Sequence, residues 1–163
     1  MKRIGLLSDT HSLWDDKYEK YFADCDEVWH AGDIGSIELA DRFASFKTFR
    51  AVYGNIDDHT IRTVYPETLR FEVEGVDVLM THIGGYPGRY NPKVKQLLYD
   101  NPPKLFICGH SHILKVMYDK KIGTLHMNPG AAGNHGFHQV RTLLKFTLDN
   151  GDIKDLEVIE MER

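Results

Sequence analysis

Three short apolar runs in the first third of the chain, RIGLLS, DEVWH and FRAVY, are separated by two segments whose apolar residues recur at helical spacing. In LWDDKYEKYFADC these residues are Leu13, Tyr18, Tyr21 and Phe22, with charges between them. In SIELADRFASF they include Leu39 and Phe43, and Ser36 stands where a helix cap belongs. Such βαβαβ alternation gives parallel strands covered by helices and brings functional groups to the carboxyl ends of the strands.

The remainder changes character. LRFEVEG and VDVLMTHI read as a hairpin, a helix is expected from about Pro92 to Tyr99, and KLFICGH reads as a further strand. KVMYDKKIGTLHMN and VRTLLKFTLDNGDIKDLEVIEM read as two more hairpins, the second turning at Asn150 and Gly151. The chain has 163 residues, no internal repeat and no Pro/Gly/Ser-rich linker, so one domain spanning residues 1–163 is expected. The expected class is α/β (α+β), with two packed sheets and helices outside them rather than a simple doubly wound sheet.

Composition narrows the function classes. A formal charge of −4 without a Lys/Arg-rich block argues against a broad surface for nucleic acid or anionic lipid. The opening MKRIGLLSDTH loses its apolar character after Leu7, too soon for a signal peptide or a membrane span, so a cytoplasmic location is expected. Cys25 and Cys108 form no CxxC pair and are expected to be buried thiols, although Cys108 shares strand parity with His110 and so stands close to the expected site.

The residues just after each inferred strand carry the chemistry. LLSDTH supplies Asp9 and His11, VWHAGD supplies His30 and Asp33, AVYGNID supplies Asn55 and Asp57, VLMTH supplies His82, and FICGHSH supplies His110 and His112. In an extended strand, residues two apart share a face, so the last pair can reach one site. Singly, each residue has a plain structural use as a helix cap, a turn former or a strand end. Together, Asp9, His11, Asp33, Asn55, His82, His110 and His112 form a set of oxygen and nitrogen donors without a thiolate. That set suits Mn²⁺, Fe or Zn²⁺, and a shared carboxylate can bridge two ions about 3.5–4 Å apart. Gly32, Gly54 and Gly109, each preceding one of these donors, are expected to let the backbone turn sharply.

The ordered blocks Asp-x-His, Gly-Asp, Gly-Asn, a lone His and Gly-His-x-His resemble the calcineurin-like metallophosphoesterase superfamily. MNPGAAG, Met127 to Gly133, resembles its small phosphodiesterase branch. The resemblance implies a four-layer sandwich of two mixed β-sheets flanked by helices. It implies Asp9, His11 and His112 on one divalent ion, Asn55, His82 and His110 on a second, and Asp33 bridging both. Mn²⁺ is the expected metal, with Fe, Zn²⁺, Ni²⁺ or Co²⁺ as alternatives. Asp33, Asn55 and His82 are the expected catalytic residues. A metal-bridging hydroxide would attack phosphorus in line, and the expected substrate is a small phosphodiester. The resemblance leaves open a phosphomonoesterase, a nucleotide pyrophosphatase, a non-catalytic scaffold like the retromer small subunit, and a homo-oligomer.

Two positions depart from the family pattern. Larger members carry a histidine after Gly-Asn that protonates the leaving group, supported by an aspartate three residues after the Gly-Asp carboxylate; here these places hold Ile56 and Ser36. His59, His135 and His138 are the alternative proton donors, while His30 and His126 are expected in the core or behind the ligands. The loop GGYPGRYNP, Gly84 to Pro92, can fold over substrate, with Asn55 and Arg89 on phosphate and Tyr86 or Tyr90 stacking on a base.

Overall fold

The computed structural model describes residues 1–163. The elements run β1 (Lys2–Leu7), α1 (Asp16–Phe22), β2 (Glu27–His30), α2 (Ile37–Phe46), β3 (Thr48–Ala51), α3 (His59–Val64), β4 (Thr68–Val73), β5 (Val76–Thr81), β6 (Gly85–Tyr86), β7 (Arg89–Tyr90), α4 (Pro92–Asp100), β8 (Leu105–Ile107), β9 (Leu114–Asp119), β10 (Thr124–Pro129), β11 (Val140–Asp149) and β12 (Asp152–Glu162). Two five-stranded sheets have the orders β12-β11-β1-β2-β3 and β4-β5-β8-β10-β9. Both are mixed: β1, β2 and β3 run parallel in the first, and β5, β8 and β10 in the second.

Side-chain alternation explains the layering. Ile4 and Leu6 of β1 and Trp29 of β2 face Val78, Met80, Leu105 and Ile107 of the opposite sheet, forming the core between the sheets. The other face of the first sheet, with Leu7 and Val28, is covered by Tyr18 and Phe22 of α1 and Leu39 and Phe43 of α2. The outer face of the second sheet, with Leu79 and Phe106, is covered by Val94 and Leu98 of α4. The result is the expected sandwich of two mixed sheets between helical layers.

Ser36 caps α2 as expected, accepting the Leu39 N–H at 3.2 Å. α1 is shorter than its apolar spacing suggests: Asp15 caps it through the Lys17 N–H, which leaves Leu13 outside. Two elements were not anticipated. α3 is a six-residue helix capped by Asp58, and β6–β7 is a two-residue hairpin inside the expected loop. Both are too short to show periodicity. No helix is long and apolar enough to cross a membrane.

Candidate metal centre

The parallel strands β1, β2 and β3 of one sheet and β5 and β8 of the other end at a common rim, where the loops carry the donors. Past β1, the Asp9 and His11 N–H groups donate to the carbonyls of Gly32 and Asp33, at 2.9 and 3.1 Å, so the first two ligand loops stay stitched together. The donors fall into two groups, Asp9–His11–His112 and Asp33–His82–His110, each with ligand atoms within 4.8 Å of one another. The groups touch: Asp33 Oδ2 lies 3.2 Å from His82 Nε2 and 3.5 Å from His11 Nε2. Asp9 Oδ1 is 3.2 Å from His112 Nε2 and 3.8 Å from His82 Nε2. Asn55 Oδ1 stands 3.0 Å from His110 Nδ1. All seven sequence-derived donors therefore meet at one place.

His110 and His112 reach it by a different route from the one their spacing suggests. β8 ends at Ile107, and both histidines adopt left-handed backbone, with φ of 70° and 63°. Asp9, His11 and Asp33 do the same, at 57°, 47° and 57°. Each such residue costs roughly 1–3 kcal/mol, so five of the seven donors sit on strained backbone. Of the three glycines expected to turn the chain, Gly32 does so through a φ of 103°, whereas Gly54 and Gly109 do not adopt positive φ. They provide clearance, since a Cβ at Gly54 would collide with Asp33 and one at Gly109 with Ser8 and Asp9.

Hydrogen bonds fix the free atoms of each donor. His82 Nδ1 donates to the Ala31 carbonyl at 2.7 Å, which leaves the Nε2 lone pair facing the centre in the neutral ring. Asp9 Oδ2 accepts from Ser8 Oγ at 2.6 Å and the His110 N–H at 3.1 Å, so Oδ1 stays free. Asp9 Oδ1, His11 Nε2 and His82 Nε2 are buried without any hydrogen-bond partner. Buried polar atoms left so cost about 1–3 kcal/mol each. Lone pairs and carboxylate oxygens aimed at one point fit a divalent cation, and a donor set without sulfur fits a hard or borderline one.

The charges respond accordingly. Burial opposes ionisation of Asp33, yet His82, the Ile56 N–H and His11 outweigh it and hold the carboxyl below its usual range. Burial also opposes protonation of His82, but Asp33 and Asp9 raise its proton affinity above the ordinary value. Burial lowers His11 and His110. The carboxylates of Asp9 and Asp33, which raise the proton affinity of His82 and His112, attract a metal cation by the same charge.

A profile for the calcineurin-like phosphoesterase superfamily domain matches residues 1–151. The chain belongs to the calcineurin-like phosphoesterase superfamily. A curated relative from Methanothermobacter thermautotrophicus, described as "Probable metallophosphoesterase", is 28% identical over 136 residues, covering 78% of this chain and 76% of that protein. Among solved structures, an archaeal phosphodiesterase superposes with a TM-score of 0.77 at 20% identity over 98% of this chain and 99% of that one. Vps29 of Entamoeba histolytica, solved with Zn²⁺, superposes with a TM-score of 0.69 at 16% identity over 97% and 98%. At these identities the two structures speak for the fold. The superfamily uses divalent metals, and this chain carries two potential metal-ligand clusters.

Around the centre, Ile56 lines a cavity with His11, His112, His135 and His138. His135 stacks on His11, with ring centroids 4.5 Å apart, and His138 Nε2 donates to the Gly133 carbonyl at 2.7 Å. His59 opens α3 instead of lying in a loop, and does not line this cavity. Arg89 is exposed on β7, in an adjoining cavity that His110 also borders. Tyr90 cannot stack on substrate: it is buried against Phe106 and its hydroxyl donates to Asp119 Oδ2 at 2.6 Å. Tyr86 is exposed, with Lys115 Nζ 4.6 Å over its ring. Cys108 points into the α4-side core, where burial pushes its thiol up to about 12, so its strand parity with His110 does not bring it to the centre.

Three residues support the donors from behind, among them His30, expected there from sequence. Asp57 accepts the N–H groups of Gly54, Gly35 and Ile34 at 2.8, 2.8 and 3.2 Å, joining the Gly-Asp and Gly-Asn loops. Asn128 donates to the Gly109 carbonyl at 3.0 Å and fixes the last ligand loop. Fully buried His30 accepts the Gly32 N–H at Nδ1, so its neutral ring donates from Nε2 to Thr10 Oγ1 at 3.0 Å. Asp57 is visible in GNID as a carboxylate two residues after Asn55, but its anchoring role appears only where the two loops meet.

Proposed function

We propose that this protein is a binuclear, divalent-metal-dependent phosphodiesterase, with Mn²⁺ the preferred ion. Asp9, His11 and His112 would hold one ion, Asn55, His82 and His110 the other, and Asp33 would bridge them. The observation that carries this reading is the convergence of Asp9 Oδ1, His11 Nε2 and His82 Nε2, buried and unpartnered, between two touching donor groups. Retention of all seven donor residues favours a catalytic centre over a degraded scaffold site.

The bound ions would supply an activated hydroxide at neutral pH and neutralise charge on the phosphoryl oxygens. The chain's own contribution is orientation. The Ala31 carbonyl fixes the His82 tautomer, Ser8 and the His110 N–H hold Asp9, and the Ile56 N–H holds Asp33. Asn55, exposed at the rim of the cleft, would also contact a phosphoryl oxygen. With Ile56 at the rim in place of a proton donor, leaving-group departure depends on the leaving group's own stability as an anion. That favours activated diesters over phosphoproteins.

The test is metal analysis of freshly purified protein, combined with a panel of phosphomonoesters and phosphodiesters assayed with added Mn²⁺. The reading expects close to two ions per chain and preferential turnover of diesters. Absence of turnover on every ester at full metal occupancy would defeat it.

A further inference from the structure

A cavity of about 540 Å³ adjoins the candidate metal centre, between the β6–β7 hairpin and the loop carrying His110. Its size suits a small-molecule group. No acidic side chain lines it, while Arg89 and Lys115 both do. The ion pairs of the fold engage other arginines and lysines, which leaves these two without a carboxylate partner. Lys115 is instead braced over the Tyr86 ring beside the cavity. In a chain of net charge −4, two unpaired cations lining one acid-free cavity form a local site for an anion.

His126 lines the same cavity from the core side. It is 1% exposed, and its Nδ1 is buried with no hydrogen-bond partner. Burial, aided by Lys115, keeps the ring neutral, with the group pushed down to about 4. A neutral imidazole offers one N–H donor and one acceptor, and leaving such a group unpaired in the interior is costly.

We propose that this cavity is a subsite for a second phosphate group, carried by the substrate on an arm remote from the scissile diester. Arg89 and Lys115 are its charge partners, and His126 is a hydrogen-bond partner to the same arm. Two cations suit a terminal phosphate dianion better than a singly charged carboxylate. The substrate class is then a small phosphodiester that also bears a phosphate monoester. This inference rests on the phosphodiesterase reading of the adjoining centre.

A matched pair of substrates isolates the effect: a diadenosine dinucleotide with a 5′-phosphate and the same dinucleotide without it. With Mn²⁺, wild type is expected to favour the phosphorylated compound by at least about tenfold in kcat/KM, the worth of one charge-assisted contact. In Lys115→Gln and Arg89→Gln the ratio is expected to fall towards one. Lys115 lies on the edge strand β9, so Lys115→Gln tests the subsite without disturbing the core. Equal turnover of both dinucleotides by wild type would overturn the subsite while leaving the phosphodiesterase reading intact. If neither is hydrolysed, the phosphodiesterase reading rests on the wider ester panel, and calorimetric titration of the two compounds decides the subsite. Tighter binding of the phosphorylated one, lost in Lys115→Gln, supports it, and equal binding overturns it.

Discussion

Asp33 accepts the Ile56 N–H through Oδ1 at 3.1 Å, so that only Oδ2 is left to face His82 and His11. A carboxylate tied down on one oxygen presents the other at a fixed position between the two donor groups. Asp33→Asn keeps the shape but removes the charge. Because each ion would lose a charged ligand under the bridging assignment, this variant is expected to lower metal content at both positions and to reduce kcat by more than about 10³-fold, the scale of several kcal/mol of lost charge stabilisation. Metal analysis alongside diester turnover checks both effects, and full activity would remove Asp33 from the site.

His82 and His112 belong to opposite groups. His82→Ala and His112→Ala should therefore deplete different ions. Anomalous scattering from crystals of each variant grown with Mn²⁺ reads this directly, and loss of the same single ion in both would contradict the two-centre assignment.

Asp57 makes no approach to a metal group, yet it satisfies three backbone N–H groups in the two loops that carry Asp33 and Asn55. Asp57→Ala strands these donors in a buried setting, at about 1–3 kcal/mol each. A loss of at least about 3 kcal/mol in unfolding free energy is expected from denaturant titration. Metal affinity should fall by about 10–100-fold, as for other groups that orient ligands from behind. An unchanged unfolding midpoint would show that the loops find other partners.

These cases show what could be read from sequence and what could not. The donors were legible because each follows an apolar run and because their order, Asp-x-His through Gly-His-x-His, is specific. The layering was legible for the same reason as any amphipathic pattern: Ile4 and Leu6 face one way and Leu7 the other. The backbone conformation of His110 and His112 was not, since positive φ leaves no trace in a non-glycine sequence. Tyr90 looked like an exposed loop aromatic until the β6–β7 hairpin turned it inward onto Phe106. Asp57 was visible as a residue, but its role depends on two loops meeting that are separated by more than 20 residues.

His126 gives a pH signature separate from the metal centre. Burial is the main cause of its depression from 6.5 to about 4, with Lys115 adding to it and Asp119 opposing it. The unfolded chain therefore binds a proton between these values and the folded chain does not. Stability from this group is complete above about pH 6.5 and falls as pH drops towards 4, by about 3 kcal/mol in all. His126→Leu removes the titration. Denaturant unfolding of metal-free protein at pH 7 and pH 4.5 should show a smaller acid-induced loss in the variant than in wild type, and equal losses would mean that His126 is protonated without cost.

Ile56 lines the cavity above the centre with 44% of its surface exposed, at the place where a proton donor would stand. General acid catalysis is worth about 10²–10⁴-fold, so a site without a positioned donor depends steeply on the leaving group's capacity to carry charge. Across aryl phosphodiesters of graded leaving-group pKa, log kcat/KM in wild type is expected to fall steeply. In Ile56→His the slope should flatten. Ser36→Asp cannot be assumed to assist, because the side chain at position 36 is engaged in capping α2 through the Leu39 N–H, and an aspartate would hold that cap at least as well. The single variant is therefore the cleaner test. A shallow wild-type slope, with chemistry shown to be rate-limiting, would mean that a proton already arrives from elsewhere. His135, stacked on His11 in the same cavity, is then the residue to replace, since His59 lies outside it.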